Sequence, residues 1–331
     1  MKLIKIKKKI WGKIVFFLNE SKLYPIIYHA YWHSKFNNEY KKDNENNYFT
    51  SVPNPSAGIG HQLANWIAGY WFAKQFNLKF AHIPFSSVKW ENFLGFGDDE
   101  ISVKELLECQ TYKKVILPLF KENNIKSIEL TKKIIQSYSD QKVVFITEQD
   151  QFYKDQHGIM KELKQKFYNA ASREKDVLIY SKTNFNIAIH VRRGDIVTEP
   201  NNKNPNLLMR WQNNEYFEKV LNTTLLNIRT DKKVVIYLFS QGERKNFQEF
   251  EKFVNINFCL DMGVQESFLH MVYADILITS KSSFSYKPAL ISNGIKICPS
   301  SFWHSYPKTK DFILVDDFGN FEAEQLIFNS L

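Results

Sequence analysis

Hydrophobic and polar positions along the chain change period repeatedly, and the second half shows the change most regularly. The run of residues 186–196 is apolar with β-branched residues until it ends abruptly in charge at its carboxyl end. Residues 233–239 form a second strand-like segment, continuously apolar after Lys233, and shorter, mostly apolar segments occupy residues 257–260, 275–279 and 295–298. Between them, residues 216–228, 244–254, 265–273 and 284–292 carry apolar residues at helical spacing. Continuous runs of this length predict strands buried on both faces, and the intervening segments predict helices. Strand, helix, strand in succession implies a parallel sheet with right-handed crossovers. The second half is therefore expected to be a doubly wound, Rossmann-like domain starting near Tyr180.

The first half is less regular. A Gly- and Pro-containing turn at residues 51–60 precedes a helical pattern over residues 61–76, in which Leu63, Ile67, Tyr70 and Trp71 share one face. Residues 78–83 predict a strand that Pro84 ends, residues 100–135 predict helices, and residues 142–147 a strand. A helix over 161–172 and a surface link at 173–176 follow. The polar run 41–47 predicts an exposed linker. Three parts result: an amphipathic arm and linker (1–48), an N-terminal α/β lobe (49–178) and a C-terminal Rossmann-like lobe (179–331).

Charge changes the picture only locally. The formal net charge is +9, but Lys2, Lys5, Lys7, Lys8, Lys9 and Lys13 all precede the first acidic residue, and setting them aside leaves +3. A body this nearly neutral argues against a nucleic-acid partner. The arm interleaves lysines with Ile, Trp and Phe, and its apolar run is too short to span a bilayer. Residues 1–18 fit either a peripheral contact with anionic lipid or a helix packed on its own domain. Cys109, Cys259 and Cys298 are scattered, which fits neither a disulfide framework nor a metal-binding pattern and points to a reducing, cytoplasmic setting.

Candidate chemistry gathers at the carboxyl ends of the predicted strands, where open α/β sheets bind ligands. The first ends in His190, Arg192, Arg193, Gly194 and Asp195. Two adjacent arginines can clamp a phosphate, and an Arg–Asp pair can equally cap a strand. Ser240 follows the second strand, and Ser282 and Ser283 stand before a helix, where hydroxyls and free N–H groups can cap the helix or hold a phosphate. Gly58 and Gly60 make a tight turn before another helix, again a place for an anion.

Together these residues resemble a known family. His190-Val-Arg-Arg-Gly-Asp195 resembles the His-x-Arg-Arg-x-Asp motif of the fucosyltransferase superfamily, which includes α-1,2-, α-1,6- and protein O-fucosyltransferases. Phe239-Ser240 and Ser282-Ser-Phe-Ser285 are similar to later motifs of the α-1,2 branch, whose serine motif continues with two tryptophans where this chain has Tyr286-Lys287. Gly58-Ile-Gly-His-Gln-Leu63 resembles the N-terminal Gly-x-Gly-(Asn or Cys)-Gln motif, with His61 in the variable place. The resemblance spans residues 55–315, with four motifs in the family's order.

It implies an α/β, GT-B-like protein of two Rossmann-like lobes with the donor site in the cleft. It also implies an inverting transfer of L-fucose from GDP-fucose to a glycan hydroxyl, without metal or other cofactor, most like the α-1,2 linkage to galactose of a surface polysaccharide precursor. A departing diphosphate needs cationic stabilisation, and the chain contains no Asp-x-Asp motif to hold a metal. The family match gives that task to Arg192, with Arg193 beside it and Asp195 orienting the pair. Glu199 would be the base for the acceptor hydroxyl, and Glu266 would accept hydrogen bonds from guanine. By the same match His190, Ser240, Ser282, Ser283 and Phe284 line the donor site, and Gly58, Gly60 and His61 close on the diphosphate from the other lobe. The basic arm would hold the protein at the inner face of a membrane, near a lipid-linked acceptor. Two alternatives remain: a transferase using another nucleotide-sugar, which could share the phosphate clamp, and a non-catalytic nucleotide-sugar- or glycan-binding module, kept open by the departures at His61 and Tyr286-Lys287.

Overall fold

The computed structural model describes residues 10, 13–15, 17–18, 21–37, 45–148, 153–194, 196, 205–260 and 262–327. The chain divides into two compact units: Met1–Ala57 with Gln62–Glu91 and Phe96–Tyr153, and Gly58–His61 with Asn92–Gly95 and Lys154–Leu331. Each has its own parallel sheet, as expected for the α/β class. Among the described residues, no helix is long and apolar enough to cross a membrane. Most of the arm lies outside them; within it Ile10, Ile14 and Phe17 are exposed.

In the first unit two short helices, α1 (Leu23–Ile26) and α2 (His29–Phe36), precede β1 (Tyr48–Ser51). Then come α3 (Ile59–Gln75), β2 (Lys79–Phe80), α4 (Val88–Leu94), α5 (Val103–Glu108), β3 (Lys113–Ile116), α6 (Ile125–Gln136) and β4 (Val143–Thr147). The first turn of α3 and the end of α4 group with the second unit. The sheet order is β2-β1-β4-β3. All five residues of β4 are buried, as a parallel strand covered on both faces should be. Two of the four strands are not visible in the hydrophobic pattern. β3 lies inside the stretch expected to be helical, because it is an edge strand in which only Val115 is buried. β1 follows directly on the expected linker 41–47 and runs into the start of the expected turn. Phe49 packs against Phe72 and Phe76, at ring distances of 6.4 and 5.6 Å, and so ties the strand to α3.

The second unit begins with α7 (Met160–Asn169) and a 3₁₀ turn, Ala171–Lys175. In the expected surface link Glu174 and Lys175 are exposed, but Arg173 packs inward, its guanidinium 4.5 Å from the Phe93 ring and 4.1 Å from the Phe167 ring. Next come β5 (Asn184–His190), α8 (Pro205–Leu208), α9 (Asn214–Asn227), β6 (Lys233–Phe239), a 3₁₀ segment Arg244–Phe250 and β7 (Ile256–Cys259). The chain closes with α10 (Val264–Tyr273), β8 (Ile276–Ile278), α11 (Ser283–Ile291), β9 (Ile295–Pro299), β10 (Phe312–Val315) and α12 (Glu324–Ile327). A kink at Phe247 breaks the helix expected over 244–254.

The strand order is β10-β9-β8-β5-β6-β7, every pair parallel. Counted from its first strand, this is the 3-2-1-4-5-6 order of doubly wound sheets. Ile187, Ile189, Val191, Ile236, Leu238, Ile276, Ile278 and Ile297 form the centre of its core. The order reverses between β5 and β8, which pair from Ile187↔Ile276 to Ile189↔Ile278. Crossovers leave opposite faces at this point, and beyond the carboxyl ends of such strands doubly wound sheets bind their ligands.

Gly294 enters β9 where a Cβ would stand 2.2 Å from the Ala274 carbonyl oxygen and 2.6 Å from that of Asp275. Both are backbone atoms next to β8, so no side chain can yield. Gly294→Ala is expected to destabilise the protein by about 1–3 kcal/mol through overpacking, read as a lower urea midpoint at unchanged slope.

Candidate functional site

The site is built from the segments that leave β5, β6 and β8. His190 ends β5, level with Phe239 at the end of β6. Its ring is buried, with Nδ1 2.7 Å from Ser280 Oγ beyond β8 and the ring centre 5.5 Å from that of Phe284. Burial, then the charges of Arg192 and Arg193, pushes the imidazole down to about 3, so it is neutral at neutral pH. His190 thus latches the two central strands together without adding charge.

Arg192 follows one residue after Val191, whose N–H donates to the Phe239 carbonyl at 3.0 Å. Its Nη1 donates to Ser282 Oγ at 3.3 Å, across the reversal point. Ser282 is buried and is the N-cap of α11, its Oγ accepting from the Phe284 N–H at 3.2 Å. An arginine and the N-terminus of a helix therefore meet in one place. This is the arrangement that anions favour.

Arg193 turns the other way. Its Nη1 donates to the carbonyls of Arg192 and Gln212 at 2.7 and 3.1 Å, its Nη2 to Asn214 Oδ1 at 2.6 Å, and its guanidinium lies 4.2 Å from the Trp211 ring. Burial pulls it down to about 10, opposed by Glu249, which leaves it charged at neutral pH. Both of its Nη atoms donate to the protein, so Arg193 shapes the loop that carries Arg192. Gly194 has φ +81°, a conformation that glycine adopts without strain.

The other expected residues divide between the site's walls and its surroundings. Ser240 Oγ donates to the Val191 carbonyl at 2.7 Å and ties the exits of β6 and β5. Ser283 Oγ lies 3.0 Å from His304 Nε2. Gly60 lies against the start of α11: a Cβ there would stand 2.8 Å from the carbonyl carbon and oxygen of Ser283. Gly58 has open space around its Cα, and its carbonyl accepts from the His61 N–H at 3.0 Å. Glu266 is exposed at the first turn of α10, where Oε2 accepts from the Gly263 N–H at 3.3 Å. Asp195 and Glu199 lie outside the described residues.

The hydrophobic pattern gave no sign of Gln212, Asn214, Gln156 or His304. Gln212 joins the Arg193 loop to the β8 exit, its Oε1 accepting from the Lys281 N–H at 2.8 Å. Trp211 was the one local hint, an aromatic placed to lie beside an arginine. A cavity of about 510 Å³, lined by Tyr168, Tyr273, Asp275, Asn293 and Asp311 among others, opens at the amino ends of these strands. That is the wrong end of the sheet for the crevice.

No protein-family model matches the chain, and no curated protein matches it. Among solved structures it is similar to POFUT1 in complex with GDP, at 11% identity and TM-score 0.48, covering 78% of this chain and 99% of that one. It is also similar to E. coli heptosyltransferase WaaC with ADP, at 12% identity and TM-score 0.41, covering 85% and 96%. A third similar structure is POFUT1 in complex with GDP-fucose, at 9% identity and TM-score 0.43, covering 77% and 97%.

The buried neutral His190 has a pH consequence. An unfolded chain takes up a proton near pH 6.5, whereas the folded ring resists until about pH 3. Between those values the unfolded state binds more protons, so stability falls as pH falls, by about 1.4 kcal/mol per unit for this group. His190→Asn is expected to reduce the steepness of the loss between pH 6.5 and 5, measured by urea unfolding at each pH.

Proposed function

We propose that this chain is a GT-B-type glycosyltransferase, inverting and metal-independent, that transfers L-fucose from GDP-fucose to a glycan hydroxyl. The acceptor we favour is galactose of a surface polysaccharide precursor, joined through an α-1,2 linkage. The observation that carries this reading is Arg192 donating to Ser282 at the N-terminus of α11, at the strand-order reversal of a doubly wound sheet. Motif order supports it: the His190–Asp195, Ser240 and Ser282–Ser285 segments that resemble the fucosyltransferase motifs leave neighbouring strands of one sheet.

Departure of a nucleoside diphosphate concentrates negative charge on the β-phosphate as the glycosidic bond breaks. Arg192 would meet that charge in the plane of its guanidinium, and the N–H groups opening α11 would meet it from the other side. Arg193, engaged by Gln212 and Asn214, would hold Arg192 in place, so nothing has to reorganise when the charge develops. Glu199 is the residue we assign to deprotonate the acceptor. Asp195 would hold the arginine loop. The basic arm would keep the protein beside a lipid-linked acceptor at the cytoplasmic face.

One observation favours a second reading within the same class. Glu266, assigned to guanine, already accepts from Gly263 on its own helix. A transferase using a different nucleotide-sugar, with the same phosphate clamp, is therefore the alternative.

Arg192→Ala is expected to lower kcat by about 10²–10³-fold, as loss of a preorganised donor to a developing charge does. The measurement is GDP release from GDP-fucose with galactose-terminated acceptors. Turnover close to wild type in the variant would remove Arg192 from its role. No GDP release and no calorimetric binding of GDP by the wild type would overturn the donor assignment. Binding of a UDP- or ADP-sugar instead would establish the second reading.

A further inference from the structure

Four polar groups in the second unit form a chain that ends at the N-terminus of α11. Lys287, in the second turn of α11, is fully buried, and its Nζ donates to Gln156 Oε1. Gln156 is buried as well, and its Nε2 lies 3.3 Å from His304 Nδ1. His304, also buried, has Nε2 3.0 Å from Ser283 Oγ. The imidazole is clamped flat by Tyr286, whose ring is 4.6 Å away and nearly parallel, and Tyr286 is itself fixed by donating its hydroxyl to the Ser305 carbonyl at 2.8 Å.

The direction of these bonds follows from the groups involved. Burial pulls the Lys287 amine well below its usual value, yet its Nζ still donates to the carboxamide oxygen, so Gln156 turns its NH₂ to the histidine. An NH₂ can only donate, so His304 Nδ1 accepts and carries no proton. In a neutral imidazole the proton then sits on Nε2, which donates to Ser283 Oγ. One lone pair of the serine is thereby used, and its own O–H is left to donate elsewhere. Ser283 opens a helix whose N-cap, Ser282, already accepts from Arg192. The neutral state of the ring agrees with its surroundings: burial, then the charges of Lys287, His61 and Arg210, pushes His304 down to about 2.

We propose that Lys287, Gln156 and His304 are positioning residues that set the direction of the Ser283 hydroxyl, making it a hydrogen-bond donor to a diphosphate held at the start of α11. This rests on the reading of that site as a nucleoside-diphosphate site. It also gives a role to Tyr286-Lys287, where the similar family carries two tryptophans: both residues build the relay. A carboxamide in the opposite orientation would break the bond to Lys287, put the His304 proton on Nδ1 and make Ser283 donate to His304 Nε2, leaving only hydroxyl lone pairs to face the phosphate.

Gln156→Glu separates the two directions. A carboxylate accepts from both neighbours, so it keeps the bond to Lys287 but forces the His304 proton onto Nδ1. Nε2 then accepts from Ser283, and the hydroxyl is withdrawn from the ligand. The variant also gives a buried lysine a counter-charge. We expect thermal stability equal to or above wild type and GDP binding weaker by about tenfold or more, measured by calorimetry at pH 8.5. Ser283→Ala should weaken GDP binding to a similar extent, and adding Gln156→Glu to it should cost nothing further. In parallel, imidazole ¹⁵N spectra of the ligand-free proteins should show His304 protonated on Nε2 in the wild type and on Nδ1 in Gln156→Glu.

A wild-type proton on Nδ1, or unchanged GDP affinity in a folded Gln156→Glu, would overturn the relay while leaving the diphosphate site standing. A wild type that binds neither GDP nor pyrophosphate would overturn the site itself, and the relay's assigned purpose with it.

Discussion

The structure of the candidate site depends on the adjacency of β5 and β8 where the strand order reverses. Two segments nearly ninety residues apart end level there. His190 meets Ser280 at 2.7 Å and Arg192 meets Ser282 at 3.3 Å. Both contacts follow from the β5–β8 pairing, because a slip of one residue would turn each side chain to the other face. The apolar interior of β5, with Ile187, Ala188 and Ile189 fully buried, pins that pairing. The hydrophobic core therefore positions the polar site: the same strand supplies the burial and delivers the charge.

The two arginines share the labour unequally, and their surroundings explain why. Arg193 lies against Trp211 and spends its donors on the Gln212 carbonyl and Asn214, so it behaves as part of the scaffold. Arg192 points to the start of α11. Around them the buried titratable rings, His190 and His304, are neutral because burial and neighbouring cations both oppose a second positive charge. Neutral imidazoles carry one donor and one acceptor each, so they transmit hydrogen-bond direction in a way that imidazolium could not. In our reading this makes the site one cation supported by directed neutral donors, a setting for a diphosphate that must bind and leave.

Much of the second unit was legible in the linear pattern. The interiors of its strands β5 and β6 are continuous apolar runs, because parallel strands covered on both faces need no polar alternation. The charged end of β5 and the Ser pair before α11 were visible for the same reason: each marks the point where burial stops. In the first unit β3 was missed, since an edge strand with Lys113 and Lys114 exposed carries no such run. Arg173 misled in the opposite direction. A charged tetrapeptide suggests a surface, which holds for Glu174 and Lys175, and only packing shows the Arg173 guanidinium lying against two phenylalanine rings.

What the chain by itself determined was the succession of strands and helices, the α/β class and the positions where chemistry could emerge. These are properties of local period and residue type, which need no partner to be read. Tertiary structure alone decided which of those positions meet. It separated the roles of two adjacent arginines, placed Gly60 against the carbonyl of Ser283, and assembled Lys287, Gln156, His304 and Ser283 from three distant segments. A hydrogen bond is fixed by a few tenths of an ångström and by direction. Neither is encoded in the spacing of residues along the chain, only in the register of the sheet that brings them together.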